Sequence, residues 1–299
     1  MVCVGQPRLS VAVVGAGTAG SAAALLLHRA GHAVTVFEAV ADPRPVGAGI
    51  TLQPSGMAVL HRLGLLGELV SRGSVLTGLR AVTRTGREVL SLDYAAFDAA
   101  AFGLGVHRGL LFGVLYQAVR AAGIGVQTGS AVTHTVPAGA KCRCVCTADG
   151  HEHGPFDLVV VADGARSRLR TEAHGASPGL VLRDAVYPWG ALWFLARGVS
   201  HIYPAGIFQV LDGTRRMAGF LPTGLGPDGD KPHTSFFWSF PLAQEANWRR
   251  RGLAAFRDEV LALAPMAEPV LAQIEGLEQV LLAPYRDVVL RRWHDDAMV

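Results

Sequence analysis

A glycine-rich turn between an apolar run and a small-residue helix most constrains the fold of this chain. The turn Gly15–Gly20 matches the pattern GxGxxG, follows the apolar run Leu9–Val14 and opens a predicted helix over Thr18–Ala30. A second apolar run, Ala33–Phe37, comes next and ends in Glu38. Strand, tight turn, helix and strand within about 30 residues predict a βαβ unit with two parallel strands.

The same turn predicts a dinucleotide ligand. The first glycine makes the turn, the second lets the backbone approach a pyrophosphate, and the third permits close packing of helix on strand. The start of the helix favours negative charge. Glu38 would accept hydrogen bonds from an adenosine ribose, and its charge disfavours a 2′-phosphate, so FAD or NAD is favoured over NADP. The predicted binding residues of the turn are Gly15, Ala16, Gly17, Thr18, Ala19 and Gly20.

The GxGxxG pattern alone is weak evidence for dinucleotide binding, so the flanking strand and helix must also be present. Gly224–Gly229 also matches GxGxxG, but it contains Pro227 and lacks a preceding buried strand and a following helix, so we interpret it as a loop. Only one copy therefore has the right context, and no separate nicotinamide domain is expected. A glycine-rich turn without a ligand is the alternative for the first copy.

Three later stretches carry further motifs. Val46–Ser55 reads VGAGITLQPS, Arg108 with Leu111 and Leu115 forms Arg-x-x-Leu-x-x-x-Leu, and Ala162–Arg170 reads ADGARSRLR. Together with the glycine turn, these stretches resemble the flavin-dependent aromatic hydroxylases, the single-component monooxygenases of the p-hydroxybenzoate and salicylate hydroxylase type. The resemblance covers residues 11–170.

This resemblance implies FAD as the cofactor and NADH or NADPH as a transient reductant. In this family the reduced flavin takes up O2, and the resulting flavin hydroperoxide hydroxylates a small aromatic substrate. The protein positions and dries the site, so no universal catalytic side chain is expected and the catalytic residue stays unknown. Besides the glycine turn, the implied cofactor-binding residues are Glu38, Gly49, Arg108, Asp163 and Gly164.

Local physics agrees with two of these assignments. Arg108 begins a predicted helix over Arg108–Ala122, where a cation is unfavourable unless an anion lies nearby. Asp163 and Gly164 follow the buried run Asp157–Val161, at the usual ligand end of an open α/β sheet. Two alternatives remain open, namely a surface arginine paired with a carboxylate and an aspartate that caps a helix.

The chain predicts an α/β fold with two domains. Residues 1–178 form a Rossmann-like FAD-binding domain with a parallel sheet. Residues 179–285 form a substrate domain with a mainly antiparallel sheet and helices, and residues 286–299 begin the return to the first domain. The aromatic residues of the second domain line either a substrate pocket or the core: Tyr187, Trp189, Trp193, Phe236 and Trp238.

The family's closing strand, which carries the motif LxGDAAH, has no counterpart before Val299. We interpret Asp295-Asp296-Ala297 as the turn ahead of that strand. We therefore expect an incomplete FAD-binding domain with a lowered flavin affinity, and self-association or pairing through the uncovered sheet.

Charge and cysteine content exclude several other classes. The net charge is +3, from 27 basic and 24 acidic residues, which is too even for a protein that neutralises nucleic-acid phosphates. Four cysteines and the absence of a signal peptide favour the cytoplasm. The uncharged run Leu9–Leu27 contains too many glycines for a membrane helix. No metal is predicted, although Cys142, Cys144 and Cys146 would form a zinc cluster if a two-residue turn placed Cys146 opposite His153.

Two other functions stay open. The first alternative to a hydroxylase is a catalytically silent binding or interaction protein. The second is a flavoprotein that catalyses a related epoxidation or reduction. The substrate, the choice between NADH and NADPH, and the oligomeric state do not follow from the residues.

Overall fold

The computed structural model describes residues 7–45, 47–172, 181–199, 202, 206–226, 229, 231–294 and 297–299. It has an α/β fold with one parallel sheet and three sheets that are wholly or largely antiparallel. The strands are β1 Ser10–Val14, β2 Ala33–Phe37, β3 Gly49–Leu52, β4 Ser74–Leu76, β5 Gly78–Thr83, β6 Glu88–Asp93, β7 Gly103–His107, β8 Gly125–Gln127, β9 Val132–Pro137, β10 Arg143–Thr147, β11 Glu152–Phe156, β12 Leu158–Val161, β13 Val181–Arg197, β14 Gly206–Asp212, β15 Arg216–Leu225, β16 Pro232–Pro241 and β17 Leu281–Leu290. The helices are α1 Thr18–Arg29, α2 Pro54–Arg62, α3 Leu66–Arg72, α4 Arg108–Ala121, α5 Leu169–Glu172, α6 Glu245–Leu263 and α7 Glu268–Leu271.

The chain divides into two compact units that are interleaved in sequence. The first unit takes residues up to 44, 112–185 and 287–299, and the second takes 45–111 and 186–286. The sequence predicted a first domain of residues 1–178 with a return at 286–299, whereas residues 45–111 lie in the second unit together with the later strands.

The first unit contains the predicted parallel sheet, in the strand order β12-β1-β2-β8. Its central strand β1 is apolar because it is covered on both faces, and Val11, Ala12 and Val13 are fully buried. At the outer edge of β12, Ala297–Val299 lies alongside, with Val159 N donating to Ala297 O at 2.8 Å. Asp295 and Asp296, the first residues of the predicted turn, lie outside the described residues.

A three-stranded antiparallel sheet, β11-β10-β9, completes the first unit. Its hairpin pairs Cys146 with Glu152 and Val145 with His153, so the expected pairing of Cys146 with His153 is wrong. The loop has three residues rather than two, and Gly150 adopts the left-handed conformation that such a loop needs (φ 87°). One extra residue moves every partner to the other face. Within the described residues, no group of three or more His, Cys, Asp or Glu side chains could hold a metal ion.

The second unit contains the expected, largely antiparallel sheet, with seven strands in the order β17-β13-β16-β15-β14-β5-β6. Side chains alternate across it. One face of β16 presents Phe236, Trp238 and Phe240 to a core shared with helix α6, whereas Phe237 lies on the other face. A small sheet, β3-β7-β4, packs against β15 and was not predicted from the sequence.

No helix in the described part of the chain is long and apolar enough to cross a membrane. The uncharged run Leu9–Leu27 is divided between strand β1 and helix α1. The cytoplasmic location stays a prediction.

Candidate functional site

The glycine turn is held tightly between β1, α1 and the end of β12. Gly15 has φ +100°, and a Cβ built on it would lie 2.5 Å from the Ala162 carbonyl oxygen. A Cβ at Gly20 would lie 1.8 Å from the Gly15 carbonyl oxygen. Both positions therefore require glycine, one for its backbone conformation and for space, the other for close packing of the helix.

Gly17 is different, because its surroundings are open. No atom lies within 4 Å of a Cβ built at Gly17. The residue precedes helix α1 in an extended conformation, and the first turn of that helix contains no acidic residue. The first N–H groups of a helix have no carbonyl partner within that helix, so the N–H groups of Thr18 and Ala19 can donate hydrogen bonds to an anion.

Glu38 turns its carboxylate toward the glycine turn. Its Oε2 accepts a hydrogen bond from Ala16 N at 2.8 Å, and its Oε1 accepts one from Val40 N at 2.9 Å. Ala16 therefore orients Glu38, and its amide is not one of those left for a phosphate. The predicted acid faces the crevice, where it lines a cavity of about 520 Å³ together with Gly15 and Gly17.

Asp163 and Gly164 line the same cavity from the end of β12. The Oδ1 atom of Asp163 is buried and has no hydrogen-bond partner in the described part of the chain. The first turn of helix α5 is instead bonded by Ser167, whose Oγ accepts from Arg170 N at 3.1 Å. A buried carboxylate oxygen without a donor is unfavourable, so a ligand that supplies a hydroxyl would satisfy it.

Both acidic and basic side chains line this cavity. Glu38 and Asp163 supply hydrogen-bond acceptors, whereas the exposed guanidinium groups of Arg166 and Arg168 supply positive charge at the same cavity. Acceptors suit sugar hydroxyls, and cations together with helix amides suit phosphates. This donor set fits a dinucleotide such as FAD.

Gly49 and Arg108 lie in the second unit, where both line a cavity of about 400 Å³. Gly49 N donates to Ser235 Oγ at 3.1 Å, and a Cβ at Gly49 would lie 2.3 Å from Thr223 Cγ2. Close packing of β3 therefore requires glycine at this position, in addition to any role in binding.

Arg108 begins helix α4, as expected. Its side chain is exposed, and the carbon stem lies against Gly47, where a built Cβ would be 3.4 Å from Arg108 Cβ. Its guanidinium makes no ion pair or hydrogen bond with another described residue. The alternative of an arginine paired with a surface carboxylate is therefore not found in the described part of the chain, and the cation is available to an anion at the cavity.

The rest of the lining of this 400 Å³ cavity is mostly apolar and includes three aromatic side chains. Trp193 and Phe237 face each other with their ring centroids 5.0 Å apart, and Tyr285 and Gln209 add polar atoms. Partial burial raises the pKa of Tyr285, and a hydrogen bond from Trp193 opposes this only in part. The Tyr285 phenol therefore stays protonated at neutral pH and can donate a hydrogen bond.

Among the aromatic residues proposed from the sequence, only Trp193 lines this cavity. Phe236 and Trp238 are buried in the core, and Tyr187 is exposed; Trp189 and one side of Trp238 border another cavity. The sequence reasoning missed Phe237 and Tyr285. Strand alternation places Phe237 on the face opposite Phe236, and that signal could have identified it.

Comparison with known proteins agrees with the chemistry of these cavities. The model of the protein family described as "FAD binding domain" matches residues 8–298. The 6-hydroxynicotinate 3-monooxygenase of Bordetella bronchiseptica is 35% identical over 192 aligned positions, gaps included, and the alignment covers 62% of this chain and 49% of that protein. The kynurenine 3-monooxygenase of Stenotrophomonas maltophilia is 28% identical over 308 aligned positions, gaps included, and the alignment covers 95% of this chain and 63% of that protein.

A solved structure has the same fold. The crystal structure of 2-methyl-3-hydroxypyridine-5-carboxylic acid oxygenase superposes with a TM-score of 0.78 at 20% identity, covering 98% of this chain and 74% of that one. The chain spans less than two thirds of the length of both curated relatives.

Proposed function

This chain belongs to the FAD binding domain family, among the flavin-dependent aromatic hydroxylases, and we propose that it takes part in the NAD(P)H-dependent hydroxylation of a small aromatic substrate. One observation carries the proposal for this chain's own residues. The carboxylates of Glu38 and Asp163 meet the glycine turn in one cavity, and Asp163 Oδ1 is buried there without a hydrogen-bond partner among the described residues.

The residues divide the binding of FAD by their chemistry. The helix amides at Thr18 and Ala19 and the arginines near Asp163 would hold the pyrophosphate, and Glu38 would accept from the adenosine ribose. The orphan oxygen of Asp163 would accept from another hydroxyl of the cofactor. That Gly49 and Arg108 also contact the cofactor is part of the proposal, and it rests on the family resemblance of the stretches that carry them.

When bound, FAD supplies the redox chemistry, with NADH or NADPH as reductant and O2 activated on the reduced cofactor. The chain's own residues bind and orient the substrate. The rings of Trp193 and Phe237 offer flat apolar contact, and the Tyr285 hydroxyl offers a donor to a phenol or carboxylate oxygen. The apolar walls also keep water away from the reacting atoms.

The substrate class is part of the same proposal. A relative is described as acting on 6-hydroxynicotinate, a small aromatic acid. A ring of that size fits the aromatic cavity of about 400 Å³, and its carboxylate suits the Arg108 cation.

Self-association through a sheet edge stays a prediction that sedimentation analysis would test.

The experiment that tests this function measures NADH and NADPH oxidation by the FAD-saturated protein, with and without 6-hydroxynicotinate, salicylate or kynurenine. We expect at least one aromatic compound to accelerate oxidation and to gain one oxygen atom from 18O2. The Arg108→Gln variant should lower this stimulated rate about tenfold or more, while Arg87→Gln, an exposed arginine outside the cavity, should leave it unchanged. If the protein binds FAD but no aromatic compound stimulates oxidation, the hydroxylase proposal is wrong and only the cofactor assignment stands.

A further inference from the structure

A second cavity of the second unit lies where strand β16 ends and helix α6 begins. Its volume is about 280 Å³, and it shares no lining residue with the cavity of Gly49 and Arg108. Five aromatic side chains form part of its wall. The rings come from strands β13 and β16 and from helix α6: Trp189, Trp238, Phe240, Trp248 and Phe256.

The charged side chains of this cavity are strongly unbalanced. Arg215, Arg216 and Arg251 line it, and Glu259 is the one carboxylate among its described lining residues. Glu259 Oε1 lies 3.3 Å from a guanidinium nitrogen of Arg216, and its Oε2 lies 3.1 Å from one of Arg251. The cavity therefore carries a surplus of two positive charges.

Among these three arginines, Arg215 has the fewest side-chain interactions with the described residues. Its side chain makes no hydrogen bond or ion pair with the described residues, although its backbone N donates to Asp212 O within the turn before β15. Each guanidinium has five N–H donors, so the single shared carboxylate also leaves donors on Arg216 and Arg251. This arrangement offers planar, charge-assisted hydrogen bonds to an incoming carboxylate.

Trp248 provides an independent observation that points to a ligand. The residue is 6% exposed, and its ring packs edge-on against Phe240 and Phe256. Its indole Nε1 is buried without a hydrogen-bond partner in the described chain. A buried N–H group without an acceptor is unfavourable, and an anionic ligand with an acceptor oxygen would relieve this.

We infer that this cavity binds a small aromatic carboxylate, in addition to any substrate bound beside Arg108. The carboxylate would face the three arginines, and the ring would lie against the indole and phenyl walls. The inference depends on neither FAD binding nor catalysis, because none of these residues belongs to the sites proposed above.

Equilibrium dialysis of the full chain with 2-naphthoate, and with its neutral isostere 2-naphthamide, tests the inference. Arg215→Gln should weaken naphthoate binding about tenfold, because a charge-assisted hydrogen bond is lost. Glu259→Gln should strengthen it several-fold, because the competing carboxylate is removed. Neither variant should change the binding of naphthamide. The control is Arg250→Gln, which removes one positive charge from helix α6 at a residue that does not line the cavity, and it should have no effect.

Two results would overturn the inference. One is that Arg215→Gln and Glu259→Gln both leave the naphthoate dissociation constant unchanged. The other is that only Arg108→Gln weakens it, which would place all bound naphthoate in the other cavity. Opposite shifts in the Arg215 and Glu259 variants would support the inference, since a general loss of folding cannot tighten binding.

Discussion

Glycine is required at position 20 because the Gly15 carbonyl oxygen leaves no space for a side chain. A Cβ at this residue would lie 1.8 Å from the Gly15 carbonyl oxygen and 3.3 Å from the Ala162 Cβ. Neither group can move far, because Gly15 N donates to Phe37 O at 2.7 Å and Ala162 N donates to Val14 O at 2.8 Å. The third glycine of the turn is thus needed for packing, as the pattern predicts.

The Gly20→Ala variant should therefore be destabilised by about 2 kcal/mol or more, since the helix must shift to admit the methyl group. The free energy of unfolding in urea measures this change. Gly67→Ala is the matched control, because Gly67 lies in helix α3 with no atom within 4 Å of a built Cβ. That control should be neutral or slightly stabilising. Equal stability of the two variants would contradict the close approach.

At the same scale, the sequence predicted the position of Glu38 but not its bonding. Its place at the end of β2 follows from the βαβ order, and the carboxylate does face the turn. The hydrogen bond from Ala16 N to Glu38 Oε2 could not be predicted, because it depends on the side-chain rotamer of Glu38 and on the backbone path of the turn. The orphan oxygen of Asp163 likewise appears only when every neighbouring donor has been placed.

Among the elements, those with local signals were the ones that the sequence predicted well. Strand β2 has the predicted bounds, and helix α1 ends one residue earlier than expected, because apolar runs and small residues mark them within a few positions. Strands β3, β4 and β7 were missed. Gly105 in β7 shows why, since a built Cβ would lie 1.9 Å from the Pro222 carbonyl oxygen. A glycine-rich segment becomes a strand there only because β15 lies against it.

The β10–β11 hairpin supports a prediction about pH. Thr147 Oγ1 donates to Asp149 Oδ1 at 2.6 Å, and this bond, followed by that from His151 N, lowers the pKa of Asp149 from 3.8 to about 2. The ionised form is thus favoured by folding. Its stabilisation is complete above about pH 4 and is lost as the pH falls toward 2.

Asp149→Asn should remove this dependence. The difference in melting temperature between the wild-type chain and the variant should be largest above pH 4 and should shrink as the pH approaches 2. Thermal unfolding followed by circular dichroism at a series of pH values measures it. A difference that grows on acidification would show that the carboxylate is not the stabilising form.

At the scale of the whole molecule, the placement of residues 45–111 in the second unit was beyond sequence reasoning. Strand β5 pairs in parallel with β14, with Gly78 beside Gly206, so residues early in the chain complete a sheet of the later part. No local period records such a pairing, because the two strands are joined through the first unit's own residues. The general fold class, by contrast, followed from the βαβ start and the aromatic strands, and it is confirmed.

The central claim is that one FAD binds at the cavity shared by the glycine turn, Glu38 and Asp163. Titration of the full chain with FAD, followed by the quenching of flavin fluorescence, measures it most directly. We predict about one FAD per chain, a dissociation constant raised about tenfold or more in Glu38→Gln, and no change in Glu68→Gln, an exposed glutamate of helix α3. A chain that binds no FAD, or a Glu38→Gln variant that binds it as tightly as the wild type, would contradict the claim.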